Sequence, residues 1–316
     1  MSPHQVRVRN SHDITFIRDE FAGNIDGRNT NDASGVMIED SSRISILNNR
    51  FHDLTAASYV LRSDHVVVAG NDVRTVREGM NFSDADYVTI DRNLFTQFQP
   101  VLTGPRPDHP DGIQFWTTGS AGSSHVEITN NAFLFGNNVP IQGIFIRSEQ
   151  GNAARHSDIT IANNVYQGQS RHGITVYDAD EVRITGNTVV SAPKAGTAQY
   201  LDPAINTKNT TDAQVDHNIA GLIFTDGDKK RIASDNVDAW DYRSGVGVKF
   251  ADLFVKVPTG NSLPQDFLAK TKSVADILDA GYTRVDRTGN WSSITETLLD
   301  RYEAVLDNAG SSYHVV

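Results

Sequence analysis

Residues Gly35–Phe51 read GVMIEDSSRISILNNRF. Two apolar alternations, Val36/Ile38 and Ile44/Ile46, flank the polar turn Glu39–Ser42, and an Asn followed within two residues by an aromatic closes the stretch. Alternation with period two buries one face of a strand and leaves the other to solvent. The same frame returns as GMNFSDADYVTIDRNLF from Gly79 and as GITVYDADEVRITGNTV from Gly173. Copies starting at Gly112 and Gly143 carry insertions between their two alternations. A weaker copy starts at Ala204 and a partial one at Gln5. A unit that cannot bury its own apolar face gains stability by stacking on its neighbours. The repeat therefore predicts an all-β chain, a right-handed parallel β-helix with two strands per rung and a small helical C-terminal region.

Working outward, the second alternation is the most regular. Its inward pairs are Ile14/Phe16, Ile44/Ile46, Val66/Val68, Val88/Ile90, Val126/Ile128, Ile159/Ile161 and Val182/Ile184. An Asn column follows at 49, 71, 93, 131, 164, 187 and 218, and we expect it to make the turn, because Asn tolerates left-handed backbone and bonds locally. A Gly column at 35, 79, 112, 143 and 173 reads as a second turn device. Residues 96–111, 117–124, 148–157 and 190–203 are longer than the compact rungs, and long loops on a regular scaffold carry function.

The repeat assigns residues 1–250 to the β-helix and 251–316 to a C-terminal helical cap or oligomer contact. Capping signals there are Ser273 with Asp276 and Ser293 with Glu296, and Ile294, Leu298, Tyr302 and Val305 make one apolar helical face. The first rung begins almost at Met1 with nothing to cover its open edge. The expectation is that an N-terminal region has been removed or that a neighbouring domain caps it.

The 316-residue chain has 38% hydrophobic residues, no cysteine and a formal net charge of −11. Disulfides and thiolate metal sites are excluded. The charge argues against a nucleic-acid partner, which needs a basic face, and no apolar run reaches the ~18 residues of a membrane span. No acidic cluster demands calcium, so neither metal nor cofactor is expected.

In the first strand, residues two and four after the Gly face outward, and so does the residue before it. The outward columns hold Asn81, Gln114 and Asn206, then Trp116, Arg147, Tyr177 and Lys208. Aromatic faces stack on sugar rings, while amides and charges bond hydroxyls and carboxylates. The column before the Gly holds Glu78 and Asp111 on consecutive rungs, about 5 Å apart, the spacing of a retaining carboxylate pair. Gln142 and His172 follow, and Asp108 and His109 end the long loop beside them. The candidate catalytic residues are thus Asp111, His172, Glu78, Tyr177 and Arg147. Trp116, Gln114, Asn81, His109, Asp108, Lys208 and Asn206 are the candidate substrate contacts.

These residues resemble the pectate-lyase-like β-helix superfamily over about residues 5–220. His109-Pro110-Asp111-Gly112-Ile113 is similar to the Asn-Thr-Asp-Gly motif of the polygalacturonase family, and Arg171-His172-Gly173-Ile174 to its Gly-His-Gly motif. The resemblance implies a catalytic Asp at Asp111 and an assisting His at His172. The family's Asp-Asp pair is replaced by Ile141-Gln142, and its Arg-Ile-Lys motif is only echoed by Asn206-Thr207-Lys208, so a second carboxylate would have to be Glu78 or Asp108. Asp108–Asp111 also resembles, in scrambled order, a motif of alginate epimerases. A Cys-free β-helix with a helical end is similar to phage tailspike depolymerases, which implies a homotrimer outside the cell or on a virion. The expected function is cleavage of a polysaccharide, with hydrolysis ahead of elimination or epimerisation at a uronic acid. The third alternative is a non-catalytic glycan-binding module or phage fibre.

Overall fold

A computed structural model describes residues 5–24, 32–103, 105, 107–119, 121–136, 140–191, 203–226, 235–239 and 248–283. Each alternation forms a strand and pairs in parallel with its equivalent one rung away. The first strands include Val36–Glu39, Ala56–Leu61, Glu78–Ser83, Asp111–Trp116 and Gln142–Ile146. His172–Thr185 runs through the first and second strands of its rung without a break.

Two expectations need correction. The rung has three strands, because the residues after each Asn form a short third strand, such as Arg50–His52 and Leu94–Thr96, in a sheet of its own. Three residues are too few to show a period. The rung of Val66/Val68 and Asn71 also has a first strand that the Gly column did not mark: Ala56–Leu61 lies between the copies that start at Gly35 and Gly79, with Ala57 standing where its neighbours have Gly. Its register sets Tyr59 opposite Met37 on one side and Asn81 on the other.

Inside, equivalent side chains stack rung on rung. Phe82 lies on Phe115 with ring centroids 4.6 Å apart, and Phe95 on Phe133 at 4.7 Å, which is the rung spacing itself. The Asn column is buried and forms an amide ladder. The N–H of Asn93 donates to Asn131 Oδ1 at 2.9 Å, and the Asn131 side chain donates to the Ile90 carbonyl at 2.9 Å. The ladder continues to Asp19 at one end and Asn236 at the other. The left-handed residue is the one before each ladder position: Asn48, Gly70, Arg92, Asn130, Asn163, Gly186 and His217. The turn is thus made by the neighbour, and the column supplies partners for buried backbone groups.

The Gly column is not a left-handed turn device either, since none of its members has positive φ. Space is the reason for glycine there. A Cβ on Gly79 would come within 2.0 Å of the Gly112 carbonyl oxygen, and one on Gly112 within 2.6 Å of the Phe133 ring. Gly79→Ala should therefore lose about 2 kcal/mol or more in urea denaturation. Gly119→Ala, whose nearest neighbour is Asp84 Oδ2 at 3.6 Å, should be close to neutral.

After the last rung, the helical turns Phe250–Leu253 and Val274–Ile277 join a second apolar cluster. Phe250, Leu253, Phe254 and Phe267 pack there with Val165, Val190 and Ile219 of the third-strand sheet. Ser273 Oγ accepts from the Asp276 N–H at 3.1 Å, the cap expected from the spacing. Ser293, Glu296 and the apolar face from Ile294 to Val305 lie outside the described residues.

Candidate active site

Strand pairing carries Glu78, Asp111 and Gln142 onto consecutive rungs, and His172 onto the next. Their column borders the long loop that follows Leu94–Thr96 and ends at His109. Asp111 is 2% exposed, and neither carboxylate oxygen has a hydrogen-bond partner among the described residues. Burial pushes its carboxyl up to about 6, against the pull of His109. The His109 Nδ1 atom lies 3.4 Å from Asp111 Oδ2, and its side chain is 67% exposed. The Gln142 amide nitrogen lies beside both ring nitrogens, 3.2 Å from His109 Nδ1 and 3.0 Å from Nε2. The Asp111 carboxylate holds the imidazole above its ordinary value. His109 thus faces solvent with Asp111 behind it. Sequence alone presented both to substrate, Asp111 as a catalytic residue and His109 as a contact, whereas Asp111 is buried.

Glu78 is half-buried on the preceding rung. Burial raises its carboxyl above the ordinary value, as do the nearby Asp111 and Asp108, while a hydrogen bond from Tyr59 and the charge of Arg77 oppose them. The Tyr59 hydroxyl donates to Glu78 Oε2 at 3.2 Å.

Asp108 is not a spare carboxylate. Arg77 grips it with two nitrogens, Nε at 2.9 Å from Oδ2, and the Val101 N–H donates to the same oxygen at 2.6 Å. Arg77 holds its carboxyl below the usual range. The pair clamps the loop that presents His109, which corrects Asp108 from substrate contact to loop anchor.

His172 is half-buried. Burial and the positive charges of His109 and Arg171 hold its imidazole below the ordinary value, so it is neutral at neutral pH. Its Nδ1 lies 2.9 Å from Thr175 Oγ1, which in turn accepts from Asn206 at 3.1 Å. In the tautomer where Thr175 donates to Nδ1, the Nε2–H is a donor toward the face. Asn206 also donates to the Arg171 carbonyl at 3.3 Å. It is 7% exposed, so it supports His172 from beneath and is corrected from substrate contact. Phe145 packs edge-to-face against His109, His172 and Tyr177, at centroid distances of 5.9, 5.3 and 6.0 Å.

Asn81 is 2% exposed and is likewise not presented. Tyr59 and Trp116 come from the rungs on either side, and their rings meet edge-to-face at 6.3 Å. That pair roofs the rung of Asn81. Gln114, Trp116 and Tyr177 are half-buried, while Arg147 and Lys208 are exposed on the same face. Sequence reasoning missed Tyr59 and Arg77. The 22-residue spacing back from Gly79 to Ala57 would have shown the strand of Tyr59, whereas nothing local signals that Arg77 meets Asp108 across the loop.

The chain is a right-handed parallel β-helix protein. Residues 1–104 match the family described as a right handed beta helix region, and residues 106–238 match the family described as periplasmic copper-binding protein (NosD). No curated protein matches the sequence. Among solved structures, DFA-IIIase from Arthrobacter chlorophenolicus A6 in complex with GF2 is 15% identical, with a TM-score of 0.38, covering 69% of this chain and 55% of that one. This chain thus spans little more than half the length of that enzyme. The Family 28 exopolygalacturonase of Yersinia enterocolitica is 10% identical over 58% of this chain and 43% of that one, with a TM-score of 0.30. PfbA, a surface adhesin of Streptococcus pneumoniae, is 12% identical over 72% and 75%, with a TM-score of 0.28. These likenesses concern the fold.

Copper would need a convergent set of imidazole or sulfur donors. Among the described residues no three His, Asp or Glu converge to hold a metal. His109 and His172 have the rung of Gln142 and Phe145 between them. The donors on this face therefore do not fit a copper centre.

Proposed function

We propose that this β-helix hydrolyses a polysaccharide laid along the first-strand face, with Glu78 as base and His109, backed by Asp111, as acid. The observation that carries this reading is the buried Asp111 carboxyl, whose one close polar neighbour among the described residues is the exposed His109 at 3.4 Å, one rung from Glu78. Buried polar groups normally find partners, and exceptions mark functional sites. In the step, Glu78 takes a proton from water and the hydroxide attacks the anomeric carbon. The glycosidic C–O bond breaks, and His109 gives its proton to the leaving oxygen. Asp111 stabilises the imidazolium before transfer, and the His172 Nε2–H is placed to bond a sugar oxygen. Trp116 offers a ring for stacking. The periplasmic family matched by residues 106–238 supports action outside the cytoplasm.

Activity needs Glu78 ionised and His109 protonated. Glu78 lies above its ordinary 4.5 and His109 above its ordinary 6.5. Asp111 must be ionised as well, and burial holds it at about 6, so the pH–rate profile should be a bell whose acidic limb, set by Asp111 and Glu78 together, sits well above 4.5 and whose alkaline limb sits above 6.5. The test is digestion of a panel of neutral and acidic glycans, with mass analysis of the products. Products carrying one added water support the reading. Binding without product overturns it in favour of a binding module.

One observation favours elimination at a uronic acid as a second reading. Arg147 is exposed on this face with no ion pair among the described residues, and its charge acts on the half-buried Tyr177. A cation and a phenol of this kind can bind a substrate carboxylate and move a proton. Products with an ultraviolet-absorbing double bond and no added water would select it.

A further inference from the structure

We propose that Tyr59 is a positioning residue that keeps Glu78 the ionised base of the site, through a hydroxyl on the preceding rung. The inference rests on the reading of Glu78 as base. Glu78 and Asp111 occupy the same column on adjacent rungs of parallel strands. Burial and His109 already set Asp111 apart, but its charge pushes the Glu78 carboxyl up. Something must hold Glu78 ionised against that push.

The groups facing Glu78 are Tyr59 on the preceding strand, Asp111 on the following one, and Arg77, Asp108 and His109 at the loop. Arg77 is engaged with Asp108. His109 leans toward Asp111, at 3.4 Å. Tyr59 donates a hydrogen bond to Glu78, at 3.2 Å. Its phenol stays protonated, because burial and the charge of Glu78 both push it up. It therefore acts as a fixed donor, and a fixed donor favours the anion that accepts from it. The edge-to-face contact with Trp116 holds the ring in place. A sugar stacked on Trp116 would press on the ring that orients the base.

Tyr59→Phe keeps the ring and its contact with Trp116 and removes the hydroxyl. The acidic limb of the pH–rate profile should move to higher pH while the alkaline limb stays. On that limb kcat should fall about tenfold, with KM changed less than about twofold. A ring that merely stacks on substrate, or merely packs on Trp116, is kept by Phe and would leave both KM and the limb in place. An unmoved limb overturns the proposal.

Carbon-13 NMR titration of the Glu78 carboxyl, without substrate, separates this proposal from the functional reading. A higher midpoint in Tyr59→Phe supports the positioning role even if no glycan is cleaved, and an unchanged midpoint refutes it whatever the activity. Site-specific 3-fluorotyrosine in place of Tyr59 gives an independent check in a fully folded protein. Its stronger donor should move the Glu78 midpoint down, and no movement counts against the proposal.

Discussion

Asp111→Asn should abolish glycan cleavage and at the same time make the folded protein more stable at pH 8. The two effects have one cause. The Asp111 carboxyl is 2% exposed, lacks a hydrogen-bond partner, and is pushed up to about 6 by burial. An unfolded chain would hold it near ~3.9. Between those values the folded state binds more protons than the unfolded state. Stability therefore falls as pH rises from ~4 through about 6 and levels off above. The linked penalty at pH 8 is at most roughly 3 kcal/mol. Asn removes the charge but leaves an amide N–H₂ in the same enclosed place, which costs part of the gain. A net stabilisation of about 1–2 kcal/mol at pH 8 should remain, and near pH 4 it should vanish.

The catalytic loss has its own scale. Neutralising the carboxylate behind a working imidazole lowers turnover by about 10³–10⁴. Urea denaturation at pH 4 and pH 8, with kcat measured at the optimum, reads both effects. Full activity in Asp111→Asn would remove Asp111 from the mechanism. A variant less stable at both pH values would make the carboxyl structural. A residue that costs stability where it serves function is the pattern expected of an active site.

How much of this was legible in the sequence depended on periodicity. The inward pairs from Ile44/Ile46 to Val182/Ile184 are buried as the alternation required. The register then placed Glu78, Asp111, Gln142 and His172 in one column with no further information. What escaped had no period. The third strands are two to four residues long, as at Ile219–Ala220, Leu94–Thr96 and Val165–Gly168. The strand of Tyr59 escaped because Ala57 stands where a Gly marks the other copies.

At the site, alternation gives direction but not depth. Asn81, Asn206 and Trp116 all face outward. Two of them are buried all the same, Asn81 under the Tyr59–Trp116 pair and Asn206 by its bonds to Thr175 and Arg171. The burial of Asp111 behind His109 depends on how the loop returns to the sheet. That path is fixed by Arg77 and Asp108, 31 residues apart, which no local pattern encodes.

Asn131→Ala should cause the largest loss of stability of any single truncation in the ladder. Asn131 Oδ1 accepts from Asn93 N and Asn93 Nδ2 at 2.9 and 3.0 Å, and its Nδ2 donates to Ile90 O and Asn164 Oδ1 at 2.9 and 3.0 Å. All these partners are buried. Truncation takes the Asn131 partner from the Asn93 N–H and the Ile90 carbonyl, while the Asn93 side chain keeps Val68 O and Asn164 Oδ1 keeps the backbone N–H of residue 131. At ~1–3 kcal/mol for each buried group left unsatisfied, the loss should be roughly 2–6 kcal/mol. Position matters as well as number. Asn131 stands mid-column, so the ladder is cut into halves that no longer support each other through it. In a stacked-repeat protein, stability is close to a sum of nearest-neighbour terms, and an interior break uncouples the rungs on either side. Urea denaturation should then split one transition into two, whereas Asn49→Ala near the first rung should only shift the midpoint. Asn131→Asp is the informative companion. It keeps both acceptor contacts to Asn93 but loses both donors and buries a charge, so it should be at least as destabilising at pH 8 and recover partly as acid neutralises it. A single cooperative transition near the wild-type midpoint for Asn131→Ala would mean that the stacked apolar interior alone holds the rungs in register.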